Sequence, residues 1–143
     1  MLNEEMRGRT DIRHEMDLVC VDGEGRSMRL GTTFGYSAAD PFAVTLTFRT
    51  HWCEVVWTFA RDLLILGTTE PTGDGDVHVR PSLDRAGNAT VVLEFSSPDG
   101  NLVAEASAAE ITAFLASALS QVPAGTESRH IDVDELIGHL LTH

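Results

Sequence analysis

An α+β fold is predicted by three observations. Apolar and polar residues alternate with period two in several short runs, residues that favour tight turns separate those runs, and apolar residues at helical spacing follow each group of runs. Strands joined by tight turns pair antiparallel, so the pattern implies antiparallel sheet with helices segregated to one face. The 143 residues suit one domain, 1–143, with residues 1–10 as a loose polar lead-in.

The first strand is read from Ile12, His14, Met16, Leu18 and Cys20 on one side against Arg13, Glu15 and Asp17 on the other. Asp22-Gly23-Glu24-Gly25 supplies a hairpin turn. Met28, Leu30, Thr32, Phe34 and Tyr36 give a second strand, bent near Gly31 or Gly35. After Asp40-Pro41, the residues Phe42, Val44, Leu46 and Phe48 form one face of a third strand. Beyond Thr50-His51, the residues Cys53, Val55, Trp57 and Phe59 form one face of a fourth. A short helix follows over residues 60–66, stopped by Gly67 in the left-handed C-terminal position.

The second half repeats the order without repeating the sequence. Val77 and Val79 mark a strand that Pro81 ends. Ala89, Val91, Leu93 and Phe95 mark the next, and Leu102 to Ala106 a third after the turn Pro98-Asp99-Gly100-Asn101. Ser107-Ala108-Ala109-Glu110 fits a capping box. Ile111, Phe114, Leu115, Ala118, Leu119 and Val122 then fall on one helical stripe, closed by Pro123. A last helix is expected from about Asp132, with Val133, Leu136, Ile137, Leu140 and Leu141 as its apolar side.

Charge excludes some functions. The formal charge is −12, every base is arginine, and residues 90–143 carry one base against eight acids. Nucleic-acid affinity rests on cation–phosphate contacts that release counterions, so nucleic acid and anionic membrane are not expected partners. No apolar run approaches the ~20 residues of a spanning helix, and the acidic start lacks the apolar core of a secretory signal. A soluble cytoplasmic protein is expected. Cys20 and Cys53 stand far apart with no second thiol at metal spacing, and read as reduced, small apolar residues.

No motif assembles catalytic chemistry. Glu135 and His139 share a helical face beside Asp132, Asp134 and His143, but no second helix offers matching ligands, and a solvated acidic helix is the plainer reading. Cys53 with His51 or His78 is a conceivable nucleophile pair, yet Cys53 shares the alternation of Val55 and Trp57 and reads as core. Gly73-Asp74-Gly75-Asp76 resembles a phosphate loop only in its glycines. It follows a helix rather than a strand, and its two aspartates would repel phosphate, so it reads as a turn feeding Val77. No catalytic residue, metal or cofactor is expected. Leu63-Leu64-Ile65-Leu66, however, surrounds a short helix with apolar side chains, which neighbouring loops or another protein chain must cover. Trp52, on the side of Glu54 and Thr58, could anchor such an interface.

The same residues carry a family resemblance. Tyr36-Ser37-Ala38-Ala39-Asp40-Pro41-Phe42-Ala43-Val44, then Trp57-Thr58-Phe59-Ala60-Arg61-Asp62-Leu63-Leu64 and Gly67, then Pro71-Thr72-Gly73-Asp74-Gly75-Asp76-Val77 with Pro81, resemble the SsgA-like proteins of sporulating actinobacteria. The likeness covers about residues 33–142, and the matched motif residues end near Val122-Pro123-Ala124-Gly125-Thr126-Glu127. It implies a whirly-like fold of two antiparallel sheets each followed by a helix, a tendency to form homotrimers, and a non-enzymatic role in sporulation-specific cell division. The SsgB type of the family recruits the tubulin-like FtsZ to future septa, so FtsZ or another division protein and the septum are the implied partner and place. Within the motif, Asp40 before Pro41 suits a turn, and Arg61 with Asp62 suits an ion pair or a helix cap, alongside a role in partner binding. The whirly-like likeness also raises single-stranded nucleic-acid binding, which would need a basic face with stacking aromatics. An acidic chain with one tyrosine supplies little of that.

Overall fold

The computed structural model describes residues 11–131, the side chain of His130 apart. The expected lead-in at 1–10 and the expected last helix from Asp132 lie outside the described residues. Four strands come first: β1 (Asp11–Val21), β2 (Ser27–Ser37), β3 (Ala43–Arg49) and β4 (Glu54–Ala60). Helix α1 (Arg61–Gly67) leads into β5 (Thr72–Asp74), β6 (Val77–Leu83), β7 (Ala89–Ser97) and β8 (Gly100–Ser107). Helix α2 (Ala108–Gln121) and a single 3-10 turn (Glu127–His130) complete the described chain. The α+β class and the strand-then-helix order of each half agree with the sequence pattern. Among the described residues no helix is long and apolar enough to cross a membrane.

One feature differs from expectation: the two halves form one sheet, not two. The order is β4-β3-β2-β1-β8-β7-β6-β5, two four-stranded antiparallel meanders joined edge to edge. The join is short, pairing Val19, Cys20 and Val21 of β1 with Glu105, Ala104 and Val103 of β8. Flat, this sheet would hold β4 and β7 about 24 Å apart, at roughly 4.8 Å per strand. Instead the ring centroids of Trp57 on β4 and Phe95 on β7 lie 5.0 Å apart. The sheet therefore curls until its halves face each other. Phe95 is the centre of that contact, with Phe48 at 5.6 Å and Phe59 at 6.2 Å.

Alternation fixes which face turns inward. Met16, Leu18 and Cys20 of β1, Phe34 and Tyr36 of β2, and Val44, Leu46 and Phe48 of β3 are buried, while Arg13, Glu15 and Asp17 face solvent. Two turns of the same construction set register in both halves. In each, an aspartate carboxylate accepts the amides two and four residues on: Asp22 from Glu24 and Arg26, and Asp84 from Ala86 and Asn88. Each closes with a glycine at positive φ, Gly25 at 79° and Gly87 at 84°, where a side chain would be strained.

The helices cover the inner face. Ser107 caps α2, its hydroxyl accepting from the Glu110 amide at 3.3 Å, which is the serine half of the expected box. Ile111, Phe114, Leu115, Ala118 and Val122 of the expected stripe are buried, and Leu119 is half-buried. Helix α1 is too short to persist alone. It is held by packing, with Leu63 and Leu64 in the common core.

Two boundary residues act differently from expectation. Gly67 is not a left-handed stop. It lies inside α1, which ends at Thr68 in right-handed helical conformation. A Cβ on Gly67 would stand 2.2 Å from Val79 Cγ1, so glycine is required there for α1 to lie on β6. Pro81 does not end β6 either; the strand runs on to Leu83, with Pro81 opposite Val91 of β7. The outer neighbour β5 pairs only with residues 77–79 of β6, so Pro81 sits where β6 is itself an edge and its missing N–H breaks no ladder.

Candidate functional site

Motif residues scattered over the sequence converge on one buried cation. Arg61, first residue of α1, is 1% exposed, its amide donating to Phe42 C=O at 2.8 Å. Its guanidinium reaches the far end of α2, where Nη1 donates to the carbonyls of Val122 at 2.7 Å and Ala118 at 3.3 Å. Ala118 C=O also accepts the Val122 amide at 3.0 Å, whereas Val122 C=O lies past the last turn; both carry the negative end of the helix dipole, which a cation complements. Nη1 also donates to the Tyr36 hydroxyl at 3.1 Å, and Nη2 to Glu127 Oε1 at 3.2 Å. The guanidinium carbon lies 5.0 Å from the Tyr36 ring centroid. Tyr36 in turn donates to Pro41 C=O at 2.9 Å. Burial pushes the Tyr36 hydroxyl above its ordinary pKa, the Arg61 charge opposing it, so the group remains a donor at neutral pH.

Arg61 thus neither pairs with Asp62 nor caps its own helix. Asp62 is exposed in the first turn of α1, and the cap belongs to α2. Glu127 is the partner that sequence spacing does not reveal, 66 residues away, its carboxylate also accepting from the Gly125 amide. The signal for it was present: Glu127 closes the last motif segment, but only the fold brings it to α1. Asp40 is exposed in the turn after β2, its amide donating to Ser37 C=O at 3.1 Å, while Pro41 is buried.

The remaining motif residues spread out. Trp57 is half-buried and Phe59 buried, both on Phe95. Pro71 precedes β5, Gly73 lies under the His78 ring, and Gly75, at φ 61°, heads the two-residue turn Gly75-Asp76 between β5 and β6. That loop is a hairpin turn feeding Val77, as its aspartates suggest.

The thiols and imidazoles stay apart. Cys20 is buried, and burial pushes its thiol up to about 11, leaving it protonated and unreactive near neutrality. Cys53 is not core; it lies in the exposed turn before β4 with His51, because the strand starts only at Glu54. His14 packs edge-on against Phe114 of α2 with centroids 5.5 Å apart, and His78 is on β6. Among the described residues no group of three or more His, Cys, Asp or Glu converges to hold a metal ion.

The apolar quartet of α1 divides. Leu63 and Leu64 are buried within the chain and belong to its core rather than to a docking surface, while Ile65 is half-buried and Leu66 is 47% exposed. Trp52 stands 93% exposed in the turn between β3 and β4. Phe42, expected on the inner face of β3, precedes that strand and is also exposed. On β4, an edge of the sheet, Val55 and Val56 are exposed although they point to opposite faces.

Residues 30–127 match the family model described as "Streptomyces sporulation and cell division protein, SsgA". The chain belongs to the SsgA-like family. Its likeness is to the SsgB type: it is 44% identical to sporulation-specific cell division protein SsgB of Kineococcus radiotolerans, over 94% of this chain and 82% of that one. SsgB of Streptomyces coelicolor is 41% identical over 92% of this chain and 96% of its own length. The fold matches the crystal structure of an SsgA-like sporulation-specific cell division protein from Thermobifida fusca with a TM-score of 0.81 at 34% identity, over 91% of this chain and 95% of that one. The SsgA-like motif segments are thus those that build the Arg61 hub, the α1–β6 contact and the β5–β6 hairpin.

Proposed function

We propose that this SsgA-like chain is a non-enzymatic, oligomeric adaptor that helps to recruit or position FtsZ at septum sites during sporulation-specific division. The observation that carries the reading is identity above 40% with SsgB proteins along nearly the whole chain. An adaptor works by affinity and valency: a homotrimer presenting three equal sites raises the local concentration of a polymerising partner without bond chemistry. In this reading Tyr36, Pro41, Arg61 and Gly67 hold the fold, and Trp52 and Leu66 belong to a partner or subunit interface. No membrane insertion is involved.

Co-sedimentation of the full chain with polymerising FtsZ, with analytical ultracentrifugation for stoichiometry, tests this. Co-pelleting and a trimer mass are expected; unchanged filament pelleting without co-pelleting would remove the FtsZ claim. Tight, salt-sensitive retention of oligonucleotide on a filter would favour the nucleic-acid reading, against which the −12 charge stands.

A further inference from the structure

The curl leaves one end of the sheet open, and its opening is a groove of about 530 Å³. One wall is the inner face of β4, through Val55 and Trp57; the floor and far wall are Phe95 and Leu102 of β7 and β8. The rim is acidic. Asp22 and Glu24 come from the β1–β2 turn and Asp99 from the β7–β8 turn, with Arg26 as the one cation on that rim. Arg26 is already committed, 2.9 Å from Asp22 and 3.2 Å from Glu24. Asp99 has no ion pair among the described residues, and three carboxylates against one guanidinium leave the rim negative.

The β4 edge beside this groove is open. No described strand pairs with its outer side, so alternate amides and carbonyls lack a ladder partner. Natural edges are usually blunted by lysine, proline or bulges. Glu54-Val55-Val56-Trp57-Thr58-Phe59-Ala60 has neither lysine nor proline, and it pairs with β3 residue for residue without a bulge.

We propose that the β4 edge and its groove take an extended protein segment whose inward-facing positions are apolar along Val55 and Trp57 and lysine or arginine at the end that reaches the two acidic turns. The backbone of the segment adds a strand to β4, its apolar side chains enter the groove against Val55 and Trp57, and cations on the same face, further along the segment, meet Asp22, Glu24 and Asp99. Charge selects this occupant over a second copy paired edge to edge, since the copy's β4 brings Glu54 and no cation to the rim. It disfavours nucleic acid for the same reason. The inference rests on the groove alone, whichever division partner the chain has.

The test uses the full chain and dye-labelled seven-residue peptides, read by fluorescence anisotropy. The probe carries valine, phenylalanine, lysine and lysine at its first, third, fifth and seventh positions with threonine between them, and a second probe carries the reversed order; the counterparts carry glutamate for lysine. Saturable binding of one lysine peptide, at least tenfold weaker at high salt, is expected, with no binding of its glutamate counterpart. N-methylating one alternate set of its amides should abolish binding and methylating the other should spare it, the signature of strand addition. Asp99→Lys with Glu24→Lys, both on exposed turns, should weaken binding at least tenfold while circular dichroism stays unchanged. Equal binding of lysine and glutamate peptides, indifference to that charge reversal, or an oligomer that Val56→Lys dissociates and that alone occupies the edge would overturn the proposal. Peptide binding without FtsZ pelleting would leave it standing and remove the adaptor's named partner, and the reverse result would do the opposite.

Discussion

Arg61 shows why a buried ion matters more when broken than when made. Its pair with Glu127 is almost dry, at 1% and 11% side-chain exposure. Removing one member of such a pair costs about 3–5 kcal/mol, because the other is left charged and buried. Glu127→Ala is therefore expected to destabilise by about that much. Arg61→Met, which removes the charge itself, still orphans the Val122 carbonyl and leaves the Glu127 carboxylate without its cation, so it should cost a similar amount. Urea unfolding of both variants and of the double variant checks this: the double should be less destabilised than the sum of the singles. The thiols give a second residue-scale expectation. A disulfide-exchange reagent should titrate one thiol, Cys53, in the native protein and the second, Cys20, only in denaturant.

At the scale of elements, Gly67 sets two effects of opposite sign against each other. Alanine in a helix is ordinarily favoured over glycine by roughly 0.5–1 kcal/mol. Here the added methyl would meet Val79 Cγ1 at 2.2 Å and Cβ at 2.4 Å, inside any possible contact. Overpacking of that kind costs about 1–3 kcal/mol, so Gly67→Ala should lower the melting temperature, and Val79→Ala should recover part of the loss. The paired turns respond to pH. Asp22 and Asp84 have carboxyls held below their ordinary pKa, first by the backbone amides of Arg26 and Asn88 respectively. A depressed folded pKa means that the unfolded chain binds more protons in that window. Their stabilisation is thus present above the ordinary carboxylate pKa and fades as pH falls through the lowered one. Asp84→Asn, which keeps the acceptor but cannot titrate, should flatten the acid limb of a melting-temperature profile. An unchanged acid limb would remove the turn from the account.

Most individual elements were legible because period-two alternation and turn chemistry are local. The residues of β1, β2, β7 and α2 lie in the elements their patterns place them in, with Met28 and Ala89, near the starts of β2 and β7, exposed rather than inward. The rest was hidden for physical reasons. Alternation reports which face of a strand is buried and not which edge finds a partner, so the three-residue β1–β8 join that merges two sheets has no sequence signature. β5 has three residues, too few for any period. Val55 and Cys53 follow the inward pattern of β4 yet stay exposed, because that end of the strand overhangs an opening. At the candidate surface, Trp52 could be picked out as an aromatic on a polar side, but the acidic rim exists only once two distant turns meet.

For the whole molecule, the curl makes the two halves one cooperative unit. Phe95, from the second half, touches Phe48, Trp57 and Phe59 from the first. Phe95→Ala should destabilise by about 3–5 kcal/mol. The loss should appear as a single shifted transition, the same by tryptophan fluorescence and by far-ultraviolet circular dichroism. Two separated transitions would mean that the halves fold on their own. The family-model match reaches to residue 127, the position of the carboxylate that neutralises Arg61. A chain cut after Glu127 keeps its deepest cation matched, whereas a cut one residue earlier strands it. Glu127 thus completes the electroneutrality of the interior, and the shortest fragment worth expressing should reach at least that far.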